Sequence, residues 1–316
     1  MEDSRLAFGP VPSRRLGRSL GINNIPVKAC SYSCVYCQVG KTLNMTTERQ
    51  VFHKPENIFA KVKRKVDESA LSNEKIDYLT FVPDGEPTLD INLGHEMSLL
   101  KEMGIPIAVL TNASLIWRDD VKEDLLKADF VSLKVDAVRE SLWRKINRPN
   151  KELRLKTILE GISEFVNEYR GTVVSETMLI DGIDYGDEFG RIADFLKGLK
   201  RLDKAYVAIP TRPPTECWVR PAKEERVNDT FQTFSKKLGF DRVEYLIGYE
   251  GNKFTFTGKV EEDLLSITAV HPMRREAVKE FLEKADAKWN IISRLLSEGK
   301  LVEVDYEGNT YYLHRF

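Results

Sequence analysis

The sequence predicts an α/β fold, a parallel sheet flanked by helices. Three observations carry that expectation: short β-branched runs recur along the chain, longer amphipathic segments separate them, and residues suited to chemistry fall just past the runs. Period-two runs alternating with period-3.6 segments give parallel strands joined by helical crossovers, in an open doubly wound sheet or a barrel closed wholly or in part. In each of these architectures chemistry gathers at the carboxyl ends of the strands.

Taken in order, the strand-like runs lie near residues 19–22, 76–82, 107–110, 130–135, 173–180 and 205–209. Between them PENIFAKVKRKVDESA, LIWRDDVKEDLLKA, LRLKTILEGISEFVNEY and DEFGRIADFLKGL carry apolar residues at helical spacing. Past residue 256 the pattern changes to three short helices and two alternating strands joined across Glu307-Gly308-Asn309, where glycine and asparagine tolerate the positive φ of a tight hairpin. The expectation is a first domain over 1–256 and a small winged-helix-like domain over 257–316.

Composition bounds the function. With 316 residues, 42% hydrophobic and 31% charged, the chain can bury a substantial core. Its 48 basic and 49 acidic side chains nearly cancel, so no global field draws it to nucleic acid or to a membrane surface. No apolar run approaches the ~20 residues that span a bilayer, and the opening MEDSRLAFGP lacks the apolar core of a signal peptide. A cytoplasmic protein with no membrane partner is expected. Four cysteines, three of them crowded together, make a poor disulfide framework, and a reducing compartment leaves them as thiols able to bind a metal.

Those three thiols are Cys30, Cys34 and Cys37, in the spacing C-x3-C-x2-C. Three thiolates from one loop can bind three irons of a cubane cluster and leave the fourth iron without a protein ligand. Thiolate softness suits iron-sulfur or zinc. Structural zinc usually takes four protein ligands, and no further Cys or His is near, His53 being remote and Cys217 far more so. A zinc knuckle completed from a distance and three unconnected cysteines in an apolar loop stay open beside the cluster.

With Tyr36 directly before the third cysteine, the loop resembles the hallmark of the radical S-adenosylmethionine (SAM) superfamily, C-x3-C-x-Φ-C with an aromatic at Φ. The resemblance runs in order across residues 8–255. Asp84-Gly85-Glu86-Pro87-Thr88 follows the second run, where the family carries a GGE-like motif, and Thr111-Asn112-Ala113 follows the third, where many members have TNG. Asp84 and Ala113 depart from the pattern by replacing glycines. The resemblance implies a partial (β/α)6 TIM-like barrel in which Cys30, Cys34 and Cys37 ligate a four-iron four-sulfur cluster. It also implies that SAM chelates the open iron through its amino and carboxylate groups. An electron from a reductase, ferredoxin or flavodoxin then cleaves SAM to methionine and a 5′-deoxyadenosyl radical, which abstracts hydrogen from the substrate. On this reading Tyr36, Asp84, Gly85, Glu86, Thr111 and Asn112 belong to the cofactor site, with the Glu86 carboxylate suited to the cationic amino group of SAM.

Further positions have competing readings. Thr111 and Asn112 also suit an ordinary strand-end turn. Lys134 and Asp136 alternate onto one face, where they reach the SAM ribose or the substrate, or pair with each other. Ser175 and the adjacent Glu176 face opposite ways, so at most one points inward; Ser175 is taken as a substrate contact. Arg14, Arg15 and Arg18 form either a carboxylate- or phosphate-binding group or a solvated basic turn. They lie in GPVPSRRLG, which resembles the opening of a superfamily subgroup whose members mostly lack an assigned substrate. Cys217 either donates a hydrogen atom in the active site or packs as a small apolar side chain, packing being the better account. One spare cysteine cannot hold the auxiliary cluster of many members, including the tRNA wyosine-forming enzymes whose loop motifs are similar. The substrate is a small molecule, a peptide or RNA, the last giving an alternative as an RNA-modifying enzyme. The winged-helix-like tail offers AKWNIISRLLSEGK as a nucleic-acid recognition helix bearing Lys288, Trp289, Asn290 and Arg294. Against that, Trp289, Ile292 and Leu296 read as a small core, and Glu261, Glu262, Asp263, Glu303, Asp305 and Glu307 would repel phosphates. A zinc-binding DNA reader is the remaining rival.

Overall fold

The first strands of the computed structural model, which describes residues 6–71 and 74–315, form an antiparallel pair, β1 (Ala7–Ser13) and β2 (Gly17–Ile22). Residues 1–5 of the opening segment and the last residue of the 257–316 division lie outside the described residues. Two two-residue strands, β3 (Ala29–Cys30) and β4 (Asn44–Met45), then pair in parallel and frame the cysteine loop. The alternation follows: α1 (Pro55–Leu71), β5 (Tyr78–Phe81), α2 (Leu93–Leu100), β6 (Ile107–Thr111), α3 (Asp119–Leu125), β7 (Phe130–Lys134), α4 (Glu140–Asn147), α5 (Leu155–Glu168), β8 (Thr172–Met178), α6 (Glu188–Gly198), β9 (Lys204–Ala208), α7 (Glu224–Leu238) and β10 (Val243–Leu246). The strands hydrogen-bond in the order β1-β2-β5-β6-β7-β8-β9-β10, and every pair from β2 to β10 is parallel.

The sheet therefore holds two strands beyond the six read from the sequence. AFGPVPS hides β1 because Gly9, Pro10 and Pro12 are strand breakers, and an edge strand tolerates prolines that lack an N–H. VEYL, at four residues, is too short to show periodicity. The order does not close on itself. Arg14 spans the ends instead, its Nη1 donating to Leu246 O (2.6 Å) and Gly248 O (3.1 Å).

Period two decides which side chains see which face. Val109, Val131, Leu133, Val173, Ala205 and Val207 join the helix-packed core, whereas Tyr78, Leu110, Phe130, Val174, Tyr206 and Leu246 form a smaller cluster with Leu16 on the opposite, inner face. Ser175 shares the parity of Val173 and so lies on the helix side. Its reading as a substrate contact is corrected, since Glu176 is the neighbour turned inward.

The C-terminal segment contributes α8 (Val260–Val270), β11 (Met273–Arg274), α9 (Arg275–Lys284), α10 (Asn290–Ser297), β12 (Leu301–Tyr306) and β13 (Asn309–His314), with β11, β13 and β12 in one antiparallel sheet. Its apolar cluster, with Leu264, Phe281, Ile292 and Tyr312, takes in Phe8 and Val11 of β1. Polar ties add to this: Lys65 Nζ lies 2.8 Å from Asp263 Oδ1, and Tyr306 and Tyr311 donate to Pro210 O (3.1 Å) and Thr211 O (2.8 Å). On α10, Ile292 is buried and Arg294 is held by Glu261 (2.5 Å) and Glu298 (3.4 Å), and Trp289, just before the helix, meets Tyr312 edge-on at 5.8 Å. Among the described residues no helix is long and apolar enough to cross a membrane.

A buried acid pair lies beneath the loop that follows β5. Asp90 and Glu96 are both buried and interact electrostatically, and Asn24 Nδ2 donates to Glu96 Oε2 (3.2 Å). Burial, then the Asp90 charge, pushes the Glu96 carboxyl up to about 9 from an ordinary 4.5. The folded chain thus holds a proton that the unfolded chain releases above 4.5, so stability falls as pH rises from there toward 9. Glu96→Gln keeps an acceptor for Asn24 and removes the Glu96 titration, leaving that of Asp90, whose carboxyl burial raises to about 7. The urea midpoint of the wild type should drop between pH 6 and 9, and that of Glu96→Gln should drop less.

Candidate functional site

The cysteine loop is fixed from both sides by strand-end loops. Glu86 N donates to Ala29 O (3.2 Å), and Gly85 lies so close that a Cβ there would stand 1.7 Å from the same carbonyl oxygen. Only glycine fits against this backbone. The Glu86 carboxylate, 1% exposed, caps the short helical turn Pro87–Leu89 and gathers the neighbouring loop. Its Oε1 accepts from Thr88 N (3.1 Å), Thr88 Oγ1 (2.7 Å) and Thr111 Oγ1 (2.6 Å), and its Oε2 from Asn112 N (2.7 Å). Burial holds this carboxyl above its ordinary value while these donors pull it back. Oε1 is saturated, and Oε2 has capacity for one donor more. Asn112 in turn points Nδ2 at Ser31 Oγ (2.9 Å) and Cys30 Sγ (3.5 Å). Asp84, also buried, exchanges hydrogen bonds with Asn23. Ala113 holds the left-handed φ of 61° that the glycine of TNG would take.

A second group surrounds Cys34. Tyr36 donates its hydroxyl to Asp136, and the Lys134 ammonium stands 4.9 Å from the Tyr36 ring centroid. Asp136 Oδ1 accepts from Met178 N (2.8 Å). Asn147, at the end of α4, reaches Asp136 Oδ2 (2.7 Å), Tyr36 Oη (3.3 Å) and Cys34 Sγ (3.4 Å). The sequence reading passed over Asn147. Its signal was a polar residue on the buried side of an amphipathic helix, beside Trp143 and Ile146. Asn147→Leu should cost about 1–3 kcal/mol in urea denaturation, because it removes a donor from a buried carboxylate.

All three cysteines are free and partly exposed. Burial raises each thiol, Cys34 to about 12 and Cys30 well above its ordinary value, with Glu86 adding to the effect at Cys30 and Asp136 at Cys34. Among the described residues no three His, Cys, Asp or Glu side chains stand close enough to hold a single metal ion. Three thiols spread around a loop, with amide donors aimed at two sulfurs, fit a cluster that takes one thiolate per iron.

The basic group divides. Arg15 donates to Glu176, which also accepts from Lys134 (2.6 Å). Arg14 and Arg15 line an inner cavity of about 120 Å3 together with Gln38, Arg212, Glu250 and His271, none of the last four having been read from the sequence. Arg18 does not belong there. Its guanidinium binds Glu74 and Thr255 Oγ1 (2.8 Å), and Lys284 of α9 shares Glu74, so it ties β2 to the C-terminal segment. Its assignment to substrate is corrected on that ground. Cys217 is exposed rather than packed, which corrects the packing account. It lies two residues beyond Thr215, whose Oγ1 donates to Cys37 O (2.7 Å).

Comparison with known proteins bears on the family and the fold. Residues 24–196 match the family model of the radical SAM superfamily. The UPF0026 protein MJ1312 of Methanocaldococcus jannaschii is 51% identical over 309 residues, covering 98% of this chain and 95% of that protein. Among solved structures, a radical SAM methyltransferase from Sphaerobacter thermophilus superposes with a TM-score of 0.52 at 17% identity, covering 72% of this chain and 66% of that one. Streptococcus suis SuiB bound to S-adenosylmethionine gives 0.50 at 15% identity, and this chain spans half of it (50%), with 73% of its own length covered. Likeness at that identity concerns the fold alone. With the family match extending over more than half of its length, the chain belongs to the radical SAM superfamily.

Proposed function

We propose that the protein is a radical SAM enzyme in which Cys30, Cys34 and Cys37 hold a four-iron four-sulfur cluster and SAM occupies the space between the two groups around Cys30 and Cys34. When bound, the cluster delivers one electron that cleaves SAM to methionine and a 5′-deoxyadenosyl radical able to abstract hydrogen from a substrate. The observation that carries this reading is the convergence of the strand-end loops of β5, β6 and β7 on one three-cysteine loop. Glu86 sets the backbone of Thr111 and Asn112, and keeps one acceptor position at Oε2 for an ammonium group. Asn112 and Asn147 aim donors at the sulfurs of Cys30 and Cys34. Lys134 and Asp136, beside Tyr36, are placed for the polar edge of the nucleoside.

The absence of any single-ion ligand group among the described residues weighs against the zinc alternative. The electron donor belongs to the class of reductases, ferredoxins or flavodoxins, and the C-terminal segment acts as a winged-helix-like cover over the inner face. Anaerobically reconstituted protein given dithionite and SAM should form 5′-deoxyadenosine. Protein with full iron and acid-labile sulfide that forms none would overturn the proposal.

A further inference from the structure

We infer that the inner cavity is built for a small substrate carrying an anionic group, a carboxylate or a phosphate, gripped by Arg212 and His271 with Arg14 and Arg15 beside them. This rests on the function proposed above and adds the substrate class.

Charge makes the first argument. Arg14, Arg15, Arg212 and Lys134 face the carboxylates of Glu176 and Glu250, four cations against two anions. Asp136 stands behind Lys134, committed to Tyr36, Asn147 and the Met178 amide, and with it counted the cations still exceed by one. Buried positive charge in excess is costly unless an anion joins it. Burial lowers both Arg14 and Arg15 to about 10, and a neighbouring cation, Arg212 beside Arg14 and Arg14 beside Arg15, pushes each the same way.

Hydrogen bonding makes the second argument. Arg212 can only donate, and His271 Nε2 stands between Arg212 Nη2 (2.6 Å) and Glu250 Oε1 (2.9 Å). Arg212 Nε is a buried donor without a partner, and His271 Nδ1 is a second buried polar atom without one, both in residues that line the cavity. Glu250 Oε2 is an unmatched acceptor, but it lies 3.9 Å from Arg14 Nε. Position makes the third. Gln38, next to Cys37, accepts from Arg212 (2.7 Å) and donates to Val270 O (3.0 Å), so the cavity lies between the cysteine loop and the C-terminal segment. An anion seated there would place the rest of a small substrate toward the reacting end of SAM.

The test uses wild-type protein already shown to form 5′-deoxyadenosine, so that failure of SAM cleavage counts against the proposed function and not against this inference. Inorganic phosphate, succinate and the neutral succinamide are titrated at constant ionic strength in chloride, with binding read by calorimetry and by the thermal midpoint. Saturable binding of phosphate, of succinate or of both, but not succinamide, is expected, and which of them binds tells the two anion classes apart. Arg212→Gln should weaken that binding about tenfold or more, and Arg212→Lys should restore part of it. Circular dichroism of both variants separates lost binding from lost fold, and His271→Gln serves if Arg212→Gln does not fold. Equal binding of succinamide, no binding of either anion beyond chloride, or unchanged affinity in a folded Arg212→Gln or His271→Gln would overturn the inference.

Discussion

Cys34→Ala is expected to leave a folded chain that forms no 5′-deoxyadenosine above the dithionite background and that retains little acid-labile sulfide after reconstitution. The side chain is half-buried and accepts a hydrogen bond from Asn147 (3.4 Å). Removing it from the apo chain should therefore cost only about 1 kcal/mol. Its loss from a loop of three thiols is of another order, because two thiolates no longer anchor a cube that needs three. The distinguishing result is a near-normal circular dichroism spectrum combined with loss of the broad absorption near the visible region. A Cys34→Ala protein that kept both sulfide and SAM cleavage would show that the cluster is held elsewhere.

Gly85→Ala should be the most damaging single methyl addition at this site. The new Cβ would stand 1.7 Å from Ala29 O and 2.7 Å from Ala29 C, both backbone atoms that cannot swing aside. Relief requires the loop after β5 to part from the cysteine loop, which breaks the Glu86 N to Ala29 O bond and drags the Glu86 carboxylate from Thr111 and Asn112. Overpacking alone costs about 1–3 kcal/mol, and the lost buried hydrogen bonds add to it. The expected outcome is a fall in stability of ~3 kcal/mol or more together with poor cluster retention. Thermal unfolding and iron content measure the two effects. An unchanged midpoint would mean that the two loops are not in contact.

The parallel sheet, its six central strands and the cysteine loop were legible because each rests on a local pattern: period two, period 3.6 or fixed spacing. What escaped was non-local. β1 is a strand despite two prolines, only because it lies at an edge. Val173 and Val174 are equally apolar and conceal the parity of their strand, so which of Ser175 and Glu176 faces inward is revealed only by the pairing of Glu176 with Arg15 and Lys134. Arg18 shares a basic run with Arg14 and Arg15, yet the chain reverses between them and carries it to Glu74. Arg212, Glu250 and His271 sit in loops without periodicity, more than 170 residues from the Gln38 they surround, and only the fold brings them together. Glu86 was legible as a site residue, but its four protein donors were not.

The most direct measurement is the electron paramagnetic resonance spectrum of the dithionite-reduced protein with and without SAM. A cluster tied by Cys30, Cys34 and Cys37 alone keeps one iron open to the amino and carboxylate groups of SAM, so its g values should shift when SAM is added. A spectrum unaltered by saturating SAM, or a reconstituted protein with zinc in place of iron, would contradict the account.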